Sequence, residues 1–414
     1  MSAGAGIDIA SVSRLMALLE RRPEAAGRLF TPAERAYAAG HAERWASRWA
    51  AKEAVRKLYG STGRPLPDFA AIEVVSGVGG APWLRVDGVD TDLRLSLSHD
   101  GDLAVAVVVG EAPARLAAPV PPLLRLPDRP EDAHKGTFGT VLVVAGAVGM
   151  SGAPLMSAMA AARGGAGKVR LCVPEPVYQA VAAQTLEVMA HPLPARGGGF
   201  SLEAKDALRE EGHLDGVSAV VIGPGIGRAA GTEDFLDALL PGLPAPAVVD
   251  ADGLNIAAAR NFDWRRCPHP VVLTPHPAEM GRLAELATSE VQAGRGEVAA
   301  AYARERGVVV VLKGSDTVVA APDGRMHTSS LKVVALATGG TGDVLSGLLA
   351  ALVGQGLDPF DAAVAAVFIH AEAGLTLQSR LGRAGVLPRD LLDELPAAQE
   401  RCRRELERRH TSAG

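Results

Sequence analysis

Cysteine is scarce: the 414-residue chain has three, Cys172, Cys267 and Cys402, far apart and without C-x-x-C spacing. That argues against a disulfide framework or a zinc ribbon and suits a reducing compartment, so a cytoplasmic protein is expected. Aromatic residues make up only 4%. Excess positive charge is missing too, the formal net charge being −5. Nucleic-acid and membrane-surface binders usually carry surplus Lys and Arg, so neither partner is expected. No run reaches the roughly 18 apolar residues of a spanning helix, and the start, MSAGAGIDIA, has no basic segment followed by an apolar stretch. No internal repeat is visible.

What is present is a chain that is 48% apolar and long enough for two or three domains. Between Glu111 and Arg129, prolines at 113, 119, 121, 122 and 127 remove backbone donors and disfavour helix and sheet alike. The main boundary is expected near residue 115. The expected division is a first domain over 1–114, a linker over 115–122, a second domain over 123–400 and a charged, frayed tail over 401–414.

The first part opens with a short strand, GIDIA, holding one acid, Asp8. Ser11 can cap a following helix, and Thr31-Pro32 pairs a capping residue with Pro at the first helical position. A longer helix is expected from Glu43 to Tyr59. On it Arg44, Arg48, Lys52 and Arg56 recur every four residues and form one stripe, with Glu53 one position round. LRLSLS alternates, placing Leu93, Leu95 and Leu97 on one face; His99, Asp100, Gly101 and Asp102 then read as a turn before LAVAVVV returns. Taken singly, the stripe reads as a solvated face, Asp8 as an ion-pair partner and His99-Asp100 as a turn. Together, two acids on separate elements can share a hard cation, and a basic stripe suits a polyphosphate. His99 can then position or relay a proton.

GAGIDIASVSRL, FTPAERAY, ASRWAAKEAVRKLYG and LSLSHDGDLAVAVVV, in this order, resemble the holo-acyl-carrier-protein synthases over residues 1–112. The resemblance implies an α+β phosphopantetheinyl transferase domain. Such a domain moves the phosphopantetheine arm of coenzyme A to a serine of an acyl carrier protein. It implies Mg2+ held by Asp8 and Glu53, coenzyme A contacted by Lys52, Arg48 and His99, and a catalytic place for His99 beside Asp100. It also implies a homo-oligomer, since family members are trimers with sites between subunits.

Beyond Thr140 the runs TVLVVAG, KVRLCV, AVVIGPG, PAVVDADG, PVVLTPH and VVVVLKG alternate with helix-length segments. Continuous Val-rich runs indicate a parallel sheet covered on both faces, with ligands at the carboxyl ends of its strands. In ATGGTGDVLSGLLAAL, Gly339, Gly340 and Gly342 lead into a helix near Asp343. Such a loop offers free N–H groups and a positive dipole end to phosphate. Asp343 either stabilises the helix start or takes a proton from an attacking hydroxyl.

HKGTFGTVLVVAG, SGAPLMSAMAAARGGAG, VIGPGIG, VVDADGLN, VLTPHPAEM, LKGSDT and ATGGTGDVLSG together resemble the ADP-dependent NAD(P)H-hydrate dehydratases over about Leu123 to Leu387. The resemblance implies a three-layer α/β/α ribokinase-like domain. It implies that Ala153, Gly225, His276 and Asp343 contact the hydrated dinucleotide, with Asp343 as base. Lys313, Gly314, Ser315, Asp316, Thr317 and Gly342 then contact ADP or AMP, with ADP or ATP as co-substrate and magnesium. HTSSLKVVALATGG is apolar where that family usually has a Gly/Asn/Pro-rich turn. Two alternatives stay open: a small-molecule kinase in the second domain, and a degenerate docking or oligomerisation module in the first.

Overall fold

The computed structural model describes residues 4–61, 66–76, 81–86, 88–91, 93–110, 120–229 and 231–412. The chain forms two units, residues 1–115 with 408–414 and residues 116–407.

The first unit runs β1 (Gly4–Ser11), α1 (Val12–Arg21), α2 (Glu24–Leu29), α3 (Pro32–Ala38), α4 (Ala42–Ser61), β2 (Ile72–Ser76), β3 (Pro82–Val86), β4 (Val89–Asp90), β5 (Arg94–Asp100) and β6 (Leu103–Gly110). Two antiparallel sheets result, β1-β6-β5 and β2-β3-β4. Ser11 and Thr31 cap α1 and α3, and Thr31 completes a capping box with Glu34. The hairpin between β5 and β6 turns at Gly101, whose φ is +54°. His99 and Asp100 therefore lie in β5, paired with Ala104 and Leu103, and not in the turn expected of them. Asp102 accepts from Ser11 Oγ, the Ser13 amide and Ser13 Oγ, which ties the hairpin tip to the start of α1.

Helix α4 lies against one face of the β1-β6-β5 sheet, burying Ala50, Ala54, Leu58, Ala104, Ala106 and Val108 in one core. The approach is so close that a methyl on Gly6 would lie 1.9 Å from Ala54 O. Only glycine allows β1 and α4 to meet at backbone contact. The other face of the sheet leaves Ile7, Ile9, Leu103 and Val109 exposed.

The second unit contains β7 (Thr140–Val144), α5 (Gly152–Arg163), β8 (Lys168–Pro174), α6 (Glu175–Ala182), β9 (Met189–Leu193), the hairpin β10 (Ala195–Arg196) and β11 (Gly199–Phe200), α7 (Ala204–Glu210), β12 (Ala219–Ile222) and α8 (Thr232–Leu239). It continues with β13 (Ala247–Val249), α9 (Asp252–Ala259), β14 (Val271–Leu273), α10 (Pro277–Ala284), α11 (Thr288–Ala293), α12 (Arg295–Arg306), β15 (Val309–Leu312), β16 (Thr317–Ala320), β17 (Met326–Ser329), α13 (Thr341–Gly354), α14 (Pro359–Leu381) and α15 (Pro388–Ser412), the last of which ends in residues 408–412 that group with the first unit. The strands make a nine-stranded sheet in the order β17-β16-β15-β14-β13-β12-β7-β8-β9. It is parallel from β9 to β15; β16 and β17 are antiparallel.

The Val-rich runs are explained by burial on both sides. Val141 and Val143 of β7 enter the core shared with α5, α13 and α14, while Leu142 and Val144 enter the core beneath α8, α9 and α12. The same alternation in β12 and β15 makes three layers, α/β/α, as the sequence leads one to expect.

Three expectations are corrected. Residues 111–119, most of the expected linker, lie outside the described residues, but Val120 is already buried in the second unit's core. The expected frayed tail is helix α15 through Ser412, and its Arg401 and Cys402 are buried. Finally, α14 is long and apolar enough to span a membrane by length and composition. Its most apolar stretch is 83% buried inside the unit, so it is built as a core helix.

Candidate functional site

In the first unit, backbone contact between β1 and α4 brings Asp8 and Glu53 together. Burial, then the neighbouring Asp8 charge, raises the Glu53 carboxyl above its usual range. Lys57, one helical turn after Glu53, donates to Asp8 Oδ1 at 2.7 Å and to Ile7 O at 3.0 Å. Lys57 was missed in the sequence; its signal was the i, i+4 spacing from Glu53 on the same face. His99 and Asp100 are exposed at the end of β5. His99 is felt at Glu43, which is held low chiefly by a backbone hydrogen bond and then by His41 and His99. It is thus placed toward the start of α4, nearly three turns from Glu53.

The basic stripe is not a solvated face, and this corrects two site expectations. Lys52 is fully buried. Its ammonium sits 2.8 Å from Glu34 Oε2 and donates to Phe69 O and Ile72 O. An ammonium has three protons, and all are used inside the domain, so none is left for a coenzyme A phosphate. Burial lowers the Lys52 ammonium against the attraction of Glu34. Arg48 is 4% exposed, lies 3.9 Å from the Tyr37 ring centre and donates to Ser76 Oγ. Arg44 stacks on the same ring and Arg56 on Phe69. The stripe is a seam of cation–π contacts that docks α3 and the Phe69 turn onto α4.

In the second unit, the motifs meet at the carboxyl ends of adjacent strands. Gly223 and Gly225 follow β12, Asp250 follows β13, His276 follows β14 and Lys313 follows β15. Gly223, at φ +115°, permits the backbone of Asp250 to pass where a methyl would lie 2.0 Å from its carbonyl oxygen. A methyl on Gly225 would lie 3.0 Å from Ala153 Cβ, so these two expected dinucleotide contacts are neighbours. His276 caps α10: its Nδ1 accepts from the Ala278 and Glu279 amides, and its Nε2 lies 3.3 Å from Glu279 Oε1. Burial, then Lys313 and Arg282, lowers its imidazole, which favours the neutral ring.

Asp343 stands in the first turn of α13, whose cap Gly340 has φ +94°. Burial, then the Asp250 charge, pushes its carboxyl up to about 7, against the opposing pull of Lys313. Lys313 Nζ donates to Asp250 Oδ1 at 2.7 Å. Burial opposes its charge, but Asp250 and Glu279 outweigh burial and hold the ammonium above its usual range. Asp250 lies in the VVDADGLN motif, yet nothing in the sequence singled it out. An acid ending a strand of a parallel sheet was the available signal.

Beside this cluster is a cavity of about 410 Å³. Lys313, Gly314, Ser315, Thr317 and Gly342 line it; Asp316 does not, and its carbonyl accepts from Arg295 Nε instead. The unusual segment supplies the apolar wall through Leu331, Val333, Val334 and Leu336. His370 of α14 closes the far side, with its Nε2 2.9 Å from Thr341 O; burial pushes its imidazole down to about 4. Neutral at ordinary pH, it donates to that carbonyl and braces the start of α13. Ala153, Gly225 and His276 do not line this cavity.

Comparison with known proteins agrees with this layout. A family model described as NAD(P)H-hydrate dehydratase matches residues 141–397, and one described as the 4′-phosphopantetheinyl transferase superfamily matches residues 4–108. The chain is 41% identical over 284 residues to a bifunctional NAD(P)H-hydrate repair enzyme of Moorella thermoacetica, covering 68% of this chain and 53% of that protein. It is 37% identical over 278 residues to an ADP-dependent (S)-NAD(P)H-hydrate dehydratase of Neisseria meningitidis serogroup B, covering 66% of this chain and 87% of that protein. It therefore spans about half the length of the bifunctional relative and most of the other. A solved ADP/ATP-dependent NAD(P)H-hydrate dehydratase of Bacillus subtilis, co-crystallised with ATP/Mg2+, is 31% identical with a TM-score of 0.58, covering 67% of this chain and 94% of that one. The chain belongs to the NAD(P)H-hydrate dehydratase family, with a segment matching the 4′-phosphopantetheinyl transferase superfamily ahead of that domain.

Proposed function

We propose that the second unit converts the S epimer of NAD(P)H hydrate to NAD(P)H at the expense of ADP, giving AMP and phosphate, or at the expense of ATP. The observation that carries this reading is Asp343 at the phosphate-loop end of α13, its carboxyl held at about 7 beside Lys313. A base is most effective when its proton affinity lies near the working pH. Asp343 takes the proton of the C6 hydroxyl as its oxygen bonds to the terminal phosphorus and AMP leaves. Phosphate then departs from C6, a proton leaves C5, and the ring double bond is restored.

Ala153, Gly225 and His276 are assigned to the dinucleotide. Lys313 to Ser315, Thr317 and Gly342 are assigned to the nucleotide, with the apolar wall of residues 331–336 against its base. Incubation with ADP and the hydrate, followed at the dihydronicotinamide band, tests the reading. Turnover of a vitamin-like alcohol without recovery of that band would favour a kinase.

For the first unit the reading is transfer of phosphopantetheine from coenzyme A to a serine of acyl carrier protein. Magnesium suits the donors present: Asp8 and Glu53 offer paired hard oxygens, and their closeness is registered in the raised Glu53 carboxyl. When bound, the ion would offset charge on the diphosphate. Lys57 adds a cation beside these acids; His99 and Asp100, remote from Glu53 within one chain, are assigned to the serine proton at a site completed by a second copy. The exposed Ile7, Ile9, Leu103 and Val109 are assigned to contact with other copies of this chain. Mass spectrometry of apo carrier protein with coenzyme A and magnesium tests the transfer. No added phosphopantetheine mass, or an Asp8→Ala variant equal to wild type, would exclude it.

A further inference from the structure

Asp250 has no assigned contact with either ligand, yet it is the most enclosed charge near the phosphate loop, with 1% of its surface exposed. Its Oδ1 accepts from Lys313 Nζ at 2.7 Å and from the Ala251 amide at 2.9 Å, and its Oδ2 accepts from Ser346 Oγ. An enclosed carboxylate is tolerated only when it is paired and hydrogen-bonded in this way. The neighbouring backbone is strained to make the arrangement, since Ala251 has φ +52° and ψ −123°. Such conformations persist where the surroundings over-determine them, and they gather at functional sites.

The geometry above Asp250 is equally close. A methyl on Gly342 would lie 3.4 Å from Lys313 Nζ and 3.9 Å from Asp250 Oδ2. Ser346 stands one turn further along α13, and its hydroxyl is also 2.8 Å from Gly342 O. One carboxylate thus grips the cation under the loop and, through Ser346, the second turn of the helix that carries Asp343.

We propose that Asp250, steadied by Ser346, is a positioning residue for phosphoryl transfer: it fixes the Lys313 ammonium beneath the loop of Gly339 to Asp343. This rests on the nucleotide-dependent reading of the second unit. The groups that face Asp343 and Lys313 are Asp250 after β13, His276 and Glu279 at the start of α10, and His370 on α14. With its charge in place, Asp250 favours the protonated form of Asp343, second only to burial.

Asp250→Asn keeps the shape and removes the charge. The acidic limb of the kcat–pH profile is expected to move to lower pH by about one unit or more. Calorimetric ADP affinity is expected to fall several-fold. The double variant Asp250→Asn/Lys313→Met should bind ADP as Lys313→Met does alone, because Asp250 acts through Lys313. A purely structural residue would lower the melting temperature, leave the pH limb in place and add to the Lys313→Met effect. Wild-type pH limb and ADP affinity in Asp250→Asn would overturn the proposal.

If that variant does not fold, Ser346→Ala loosens the same grip. It should weaken ADP binding in the wild-type background and not in the Lys313→Met background; equal loss in both would overturn the proposal. Calorimetry needs no hydrate turnover. A wild type that binds ADP without restoring the dinucleotide would therefore defeat the functional reading, while the Lys313 comparison still decides the role of Asp250.

Discussion

Two lysines five positions apart on α4 show how burial decides what a charge does. Lys52 is locked to Glu34 and two carbonyls inside the domain, whereas Lys57 is exposed beside Asp8. Lys52→Met leaves Glu34 buried without its partner and is expected to cost about 3–5 kcal/mol in urea unfolding. Lys57→Ala is expected to leave the melting temperature nearly unchanged and to raise the KM for coenzyme A. A raised KM in a stable Lys52→Met variant would reverse these assignments. Asp343 offers a test with a sign. Its carboxyl binds a proton more tightly folded, at about 7, than at its ordinary 3.8, so stability falls as pH rises through that window. Asp343→Asn should therefore raise the melting temperature at pH 8 and not at pH 3, while kcat falls by about a hundredfold or more. A variant with near-normal kcat would remove Asp343 from its role.

Among the elements, β1 and α4 carry the first site by touching at their backbones. Gly6→Ala would put a methyl 1.9 Å from Ala54 O, so the strand must move away from the helix. We expect loss of phosphopantetheine transfer and about 1–3 kcal/mol of stability, read by unfolding and by mass spectrometry of the carrier protein. The parallel strands of the second unit were legible because a strand buried on both faces must be apolar at every position. The motifs at their ends were legible because such ends face one cleft. The basic stripe was misread because Tyr37, Phe30 and Phe69, the rings its cations cover, lie on other elements that periodicity cannot bring near. His99 and Asp100 were placed in a turn because alternation does not say where a strand stops. Asp250 was passed over because only the fold sets an acid after β13 against a lysine after β15.

At the scale of the whole chain, the proposed reading places two chemistries on one polypeptide. The exposed Ile7 and Ile9 of β1 are proposed to pack against other copies, so Ile7→Asp/Ile9→Asp should dissociate the assembly by size-exclusion light scattering and impair the transferase. Dehydratase turnover per chain should persist in that variant; an unchanged oligomer with full transferase activity would contradict the assignment. The central claim is the repair activity of the second unit. Its most direct test is to mix the intact chain with ADP, magnesium and the S epimer of NADH hydrate, and to follow dihydronicotinamide absorbance and AMP together. The account predicts recovery of the band with one AMP formed per dinucleotide restored. No recovery, or recovery without nucleotide consumption, would contradict it.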